Sequence, residues 1–236
     1  MRVLVVRHHR EDDPGFVAEA LRANGAELSI HRFPAEPLPD LDGVDHVVVL
    51  GSAWSVYDDD RVGSWIGEEM AWLRRAAADG VGVFGICFGA QVLAAAHGGS
   101  VEPAGAMEIG WTAVDPVPAP AGGRPANLAI PPDVVSSGPW FEFHGDRCVL
   151  PATATLLART ALCVQAFTIG RSLGVQYHPE VDADQLQRWL DEGSRETVEA
   201  LGLDPADLVA RTRAEEPRAR RRTAALVDAY LAAFGG

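Results

Sequence analysis

Through the first hundred residues, short β-branched runs alternate with longer amphipathic segments, and no other pattern in the chain restricts its fold as strongly. Segments 3–6, 28–31, 46–50 and 81–86 read as strands, and 16–23, 64–78 and 88–96 as helices. A strand, a helix and a second strand in that order form the parallel βαβ unit, because the connection must cross one face of the sheet. The spacing therefore predicts a doubly wound first half. Gly25, Gly80 and the pair Gly98 and Gly99 fall where helix C-caps belong.

After Val101 the pattern changes. Segments 108–114, 140–144, 161–168 and 172–177 look like strands without intervening helices, so a mixed or antiparallel extension of the sheet is expected. The stretch 116–139 holds Pro116, Pro118, Pro120, Gly122, Gly123, Pro125, Pro131 and Pro132 and reads as a turn-rich surface excursion. From about 184 to 236 the chain becomes helical, with Pro205 and Pro217 marking helix starts or breaks. At 236 residues and 47% hydrophobic content the chain can bury a full core. A single domain over 1–236 is the simpler expectation.

Charge narrows the function. A formal net charge of -13 opposes approach to phosphate backbones and anionic membrane surfaces, so neither nucleic acid nor membrane is an expected partner. No apolar run approaches the roughly 20 residues that span a bilayer, and the first seven residues read as a strand ending in charge, not as a signal peptide. A soluble, cytoplasmic protein is expected. The three cysteines, Cys87, Cys148 and Cys163, are odd in number and widely spaced, which argues against a disulfide framework and against a zinc site.

One of those cysteines sits on a turn built for reactivity. The run from Val81 to Phe84 leads into Gly85-Ile86-Cys87-Phe88-Gly89-Ala90-Gln91 and then a helical segment. That is a nucleophile elbow with sulfur in place of the usual hydroxyl. Without context, G-x-C-x-G is a buried cysteine between packing glycines; the strand before it and the helix after it favour the elbow. Gly85 and Gly89 relieve crowding in the tight turn. The helix start favours a thiolate, and the Phe88 amide can stabilise an oxyanion. Cys148 and Cys163 lie in or beside apolar strands with no such turn and read as core packing.

A thiolate that cleaves amides needs a group to protonate the leaving amine and later to activate water. Of seven histidines, His178 stands out, because Val175-Gln176-Tyr177-His178-Pro179-Glu180 ends an apolar strand and the proline presents His178 and Glu180 together. Glu180 can fix the imidazole tautomer. His144, in Phe143-His144-Gly145-Asp146, competes as base but lacks an equally clear acidic orienter, and a role in the substrate wall or in a buried hydrogen bond fits it better. His8 and His9 follow the first strand, near the edge where open parallel sheets place their sites, though a plain loop role is equally open. His31, His46 and His97 carry no motif.

Taken in order, residues 50–58, the Cys87 elbow, Glu108-Ile109-Gly110-Trp111, Phe143-His144-Gly145-Asp146 and Gln176-Tyr177-His178-Pro179-Glu180 give a chain that resembles class I glutamine amidotransferases. Within that family it is similar to stand-alone proteins like the glutaminase domain of GMP synthase. The resemblance implies a flavodoxin-like α/β fold, a three-layer sandwich with a mostly parallel central sheet, an antiparallel extension and a helical C-terminal segment. It implies a triad of Cys87, His178 and Glu180 that forms a γ-glutamyl thioester and releases ammonia. It also implies an oxyanion hole from the backbone amides of Ser52 and Phe88, and substrate contacts at Gly51, Gln91 and His144. No cofactor and no metal are implied.

The family usually has Gly-Gly-Pro where this chain has Gly51-Ser52-Ala53. If the Ser52 amide must be aimed by a positive φ, the serine costs on the order of 1 kcal/mol and the hole stays unformed until substrate or a partner binds. Otherwise Ser52 fits without strain and only reshapes the pocket. No phosphate-binding loop is visible in the helical tail, so ATP chemistry is not expected. The run 218–222, rich in arginine, reads as a solvated helix face. Four readings follow: a glutaminase that feeds ammonia to a separately encoded synthetase, a hydrolase of larger γ-glutamyl compounds, a non-catalytic regulatory module, and a relative of the cysteine peptidases sharing this sheet. In those peptidases a histidine commonly follows the nucleophile, where this chain has Phe88.

Overall fold

The protein was analysed as a computed structural model that describes residues 1–117 and 130–235. In chain order the elements are β1 (Arg2–Arg7), α1 (Gly15–Ala23), β2 (Glu27–Arg32), β3 (His46–Val49), α2 (Asp59–Val62), α3 (Ile66–Ala78), β4 (Gly82–Ile86), α4 (Phe88–Ala96), β5 (Ser100–Ala113) and β6 (Asp115–Pro116). They continue with α5 (Pro132–Val135), β7 (Pro139–Val149), β8 (Thr155–Arg159), β9 (Val164–Ile169), β10 (Ser172–Val175), α6 (Ala183–Trp189), α7 (Arg195–Ala200) and α8 (Pro205–Phe234).

Eight strands form one sheet in the order β2-β1-β3-β4-β10-β9-β8-β6. The first five pair in parallel. Strands β9, β8 and β6 add an antiparallel edge. The order 2-1-3-4 followed by a later strand is the flavodoxin-like winding, whose strand order reverses between β1 and β3. Ligands in such sheets bind outside the carboxyl ends of the strands at that reversal.

Because successive strand side chains point to opposite faces, each parallel strand feeds two cores. Val3, Val5, Val48, Phe84 and Ile86 pack on one face against Val17 and Leu21 of α1 and Leu226, Val227 and Tyr230 of α8. Leu4, Val6, Val47, Val49 and Val83 pack on the other face against Trp72, Leu73 and Ala76 of α3 and the apolar residues of α4. A third core sets Phe141 of β7 against Leu186, Leu190, Val198 and Leu208. The three-layer arrangement follows from uninterrupted apolar strands covered on both sides.

Several expectations are corrected. Segments 108–114 and 140–144 do not extend the main sheet; they belong to β5 and β7, which pair only with each other. Segment 172–177 supplies β10, parallel to β4 and antiparallel to β9, which is the mixed extension expected. The ladder with β9 begins at Val164, after the turn at Thr160–Cys163 has closed on itself, and β8, five residues between β9 and β6, is too short to carry a clear strand signal. Pro205 opens α8 at its first turn, but α8 runs through Pro217 without a break. Long flanking stretches that bury Leu208, Thr212, Ala219 and Thr223 outweigh the one hydrogen bond a proline deletes. Within the proline-rich stretch, Pro116 lies in β6 and Pro131 and Pro132 start α5, whereas Pro118, Pro120, Gly122, Gly123 and Pro125 fall outside the described residues. Gly25, Gly80 and Gly98 take positive φ at helix ends. Among the described residues no helix is long and apolar enough to cross a membrane.

Candidate active site

Strands β4 and β10 are adjacent and parallel, with Ile86 opposite Val175, so the residues that follow them emerge side by side. The Cys87 N–H donates to the Val175 carbonyl at 2.8 Å, which ties the elbow to the strand that leads into Gln176, Tyr177 and His178. Cys87 has φ 50° and ψ -110°, and it is the only non-glycine residue with positive φ among the described residues. Such a backbone state costs on the order of 1–3 kcal/mol and aims the side chain away from both strand and helix. The flanking glycines are obligatory: a Cβ at Gly85 would lie 2.7 Å from the Gly89 carbonyl, and one at Gly89 would lie 2.2 Å from the Val49 oxygen.

The His178 segment is held from three sides. Its N–H donates to the Phe141 carbonyl at 2.8 Å, Thr223 Oγ1 donates to the Pro179 carbonyl at 2.7 Å, and the Phe16 N–H donates to the Glu180 carbonyl at 3.1 Å. His178 Nδ1 stands 2.7 Å from Glu180 Oε1, with both side chains nearly sealed from solvent. Burial alone would lower the His178 pKa, but the Glu180 carboxylate and the hydrogen-bonded Cys87 sulfur hold it well above the ordinary imidazole value. An imidazolium facing a sulfur is the charge pattern of an activated cysteine. Gln176 Nε2 points at Cys87 Sγ at 3.5 Å, and its Oε1 accepts from Gln91 Nε2 at 3.2 Å.

These groups open on a cleft of about 600 Å³ at the carboxyl ends of β1, β3, β4 and β10, lined by Cys87, His178, Gly51, Ser52, Gln91 and His144 among others. Gly51 is a close-approach glycine, since a Cβ there would sit 3.0 Å from His178 Cε1 and 3.5 Å from Cys87 Cβ. Ser52 takes no positive φ, so the strain considered for it does not arise. Its hydroxyl accepts from the Trp54 N–H at 3.3 Å and meets His9 Nε2 at 3.1 Å. Phe88 follows Cys87 as the first residue of α4, where an amide has no intrahelical acceptor. Ser55 Oγ and Tyr57 OH both donate at 2.6 Å to Asp146, closing one wall of the cleft.

His144 also lines the cleft. Its Nδ1 lies 3.0 Å from the Asp146 carbonyl, and its Nε2 lies 3.1 Å from Glu142 Oε2 and 3.3 Å from Glu108 Oε2. Its acidic partners are therefore Glu108 and Glu142, not the Asp146 carboxylate. Despite burial, which opposes the charge, these carboxylates push the His144 pKa up to about 10. Cys148 packs in an apolar core, as expected for it. Cys163 does not: its thiol points at Glu108 Oε2 at 3.4 Å.

Other residues carried no readable signal or only half of one. His8 and His9 are not plain loop residues. His8 is buried 3.1 Å from Glu69 Oε1 of α3 and stacks on Trp65, and its ring edge meets Phe88 at a centroid distance of 4.8 Å. Asp12 and Asp13 line the cleft from the same loop after β1, a place the edge rule for open sheets marks. Trp189 sets its ring 5.0 Å from that of His178. It comes from the end of α6, and nothing in its local sequence points to the site. The run 218–222 is only partly solvated: Ala219 is buried, Arg220 pairs with Glu19 over the Phe16 ring, and Arg222 lies over Trp140 and pairs with Glu215.

A family profile described as "Glutamine amidotransferase class-I" matches residues 16–193, a span that holds the elbow, the His178–Glu180 pair and most of the residues lining the cleft. The chain belongs to the class I glutamine amidotransferases. Among curated relatives of this amidotransferase chain, a γ-glutamyl-L-1-hydroxyisopropylamide hydrolase from a Pseudomonas species is 31% identical over 181 residues, covering 71% of this chain and 59% of the relative. A glutamine-hydrolysing GMP synthase from Desulfotalea psychrophila is 33% identical over 171 residues, covering 70% of this chain and 30% of the synthase. The chain thus spans well under two thirds of the length of each. Among solved structures, a glutamine amidotransferase from Thermotoga maritima superposes with a TM-score of 0.81 at 26% identity, covering 98% of both chains. The amidotransferase fold therefore extends over α8, beyond the profile match.

Proposed function

We propose that this class I amidotransferase chain hydrolyses a γ-glutamyl amide through a thioester on Cys87, with His178 as acid and base and Glu180 as its orienter. One observation carries the reading: the positive-φ Cys87 and the Glu180-paired His178 emerge side by side at the carboxyl ends of neighbouring parallel strands. The Cys87 sulfur attacks the γ-carbonyl carbon, and the amide nitrogen leaves with the proton from His178. Water then adds to the thioester carbon, gives its proton to His178, and the C–S bond breaks to release glutamate. The backbone amides of Ser52 and Phe88 stabilise the oxyanion of both steps. Gly51, Gln91 and His144 form the wall around the γ-glutamyl group.

Glutamine, with ammonia as product for a separately encoded synthetase, is the first substrate reading, by analogy with the name of the GMP synthase relatives. The cleft favours a second. At about 600 Å³ it lies well within the range of pockets that enclose drug-sized ligands, which leaves room for an amine larger than ammonia beside the γ-glutamyl group. The Pseudomonas relative is named for such an amide. Steady-state release of glutamate from glutamine, measured beside release from γ-glutamyl amides of alkyl amines and amino alcohols, separates the two. A higher kcat/KM for the amides supports the hydrolase reading, and a higher value for glutamine supports ammonia supply. No glutamate from any of them overturns the proposal.

A further inference from the structure

Behind the cleft, three side chains from three separate stretches of chain converge: Glu108 of β5, His144 of β7 and Cys163 just before β9. Their ligand atoms all lie within 4.8 Å of one another. His144 Nε2 is 3.3 Å and Cys163 Sγ is 3.4 Å from Glu108 Oε2, and Glu142 Oε2 stands 3.1 Å from the same His144 nitrogen. A tetrahedral zinc ion with ligands at about 2.0–2.3 Å has ligand-to-ligand edges of about 3.3–3.8 Å, so these separations are close to those of a formed site.

We propose that Glu108, His144 and Cys163 bind one zinc-type divalent cation that fastens the β5–β7 pair to the main sheet.

Two independent observations point to a ligand. His144 Nδ1 is committed to the Asp146 carbonyl at 3.0 Å, the orienting contact that metal-bound histidines use, and this leaves Nε2 as the lone-pair donor facing the cluster. Glu142 is fully buried with its Oε2 3.1 Å from the same His144 nitrogen, and among the described residues its Oε1 has no hydrogen-bond partner, so the surroundings of the cluster hold a carboxylate that protein contacts satisfy only by half. Thr160 Oγ1 at 3.2 Å and Gln165 Nε2 at 2.9 Å donate to Glu108 Oε2 and would hold that ligand in place. Binding expels the Cys163 thiol proton and any proton on His144 Nε2 to solvent, leaving a thiolate, a carboxylate and a neutral imidazole on a doubly charged ion. The sequence gives no sign of this, because ligands at 108, 144 and 163 have none of the short cysteine or histidine spacings that mark zinc sites.

The test uses the full chain stripped with a chelator and then titrated with zinc against a chromophoric competitor. One equivalent is expected to bind more tightly than about 1 µM, with release of protons and a higher melting temperature. Cys163→Ser is expected to weaken binding by at least about 100-fold. Cobalt supplies a second readout: a thiolate-to-cobalt charge-transfer band should persist in Cys87→Ala and vanish in Cys163→Ser. Absence of stoichiometric binding overturns the proposal and leaves the cluster as a network of protons. Binding that survives Cys163→Ser but is lost in Cys87→Ala also overturns it, since the zinc would then sit on the nucleophile.

Discussion

At the residue scale the account rests on a few positions where the backbone has no freedom. The Gly89 Cα lies against the Val49 carbonyl, and an added methyl would come within 2.2 Å of that oxygen. Gly89→Ala is expected to lower stability by several kcal/mol, read as a lowered denaturant midpoint at unchanged slope. Gly51 faces the imidazole and not the core, so Gly51→Ala is expected to reduce kcat with far less loss of stability. Glu180 is the attractive partner that keeps His178 protonated against the pull of burial. Replacing it by glutamine lowers the His178 pKa toward its ordinary value, so the imidazolium that faces Cys87 is lost at a lower pH. The alkaline limb of the kcat/KM profile should therefore move to lower pH in Glu180→Gln, and kcat should fall. An unmoved limb would remove Glu180 from the triad.

At the scale of elements, the loop after β1 is joined to α3 by His8 and Glu69, both buried. Burial works against the charge on His8, but the neighbouring carboxylate outweighs it and raises the pKa above 6.5. A raised histidine contributes stability that is complete below its unfolded value, near 6.5, and disappears as pH climbs through the folded value. Glu69→Gln is expected to cost about 3–5 kcal/mol at pH below 6, with the gap to wild type shrinking in alkaline solution. Denaturant melts of both proteins across pH check this. The elements themselves were unequally legible. Helix α4 was readable to the residue, because a glycine elbow starts it and Gly98 ends it. The β5–β7 hairpin was readable as strands but not as a separate sheet, since alternation along a strand does not name its neighbour. The pairing of Cys87 with His178 is legible from the glycine elbow, the His178-Pro179-Glu180 run and the family resemblance, whereas the adjacency of β4 and β10 that brings them together is not. Nor are His8 and Glu69, because the contact joins residues 61 positions apart and exists only once α3 covers the sheet.

At the scale of the whole molecule, α8 ties the catalytic edge to the opposite layer. Its Leu226, Val227 and Tyr230 fill the core under the sheet, while Thr223 reaches the carbonyl of Pro179 between His178 and Glu180. Thr223→Val keeps the volume and removes that hydrogen bond, so a stability loss of about 1 kcal/mol is expected together with a lower kcat at nearly constant KM. A lower kcat would distinguish a positioning helix from one that only packs. The charge of -13 and the helical character of the last fifty residues are plain in the sequence, but the unbroken run of α8 through Pro217 and the direction in which Thr223 points are not. The central claim remains chemical: one of three buried thiols carries the reaction. It is tested most directly by quenching the protein during turnover of a γ-glutamyl amide and mapping the adduct by mass spectrometry. The account predicts a γ-glutamyl group on Cys87 and no glutamate from Cys87→Ala. An adduct on Cys148 or Cys163, or glutamate release undiminished in Cys87→Ala, would contradict it.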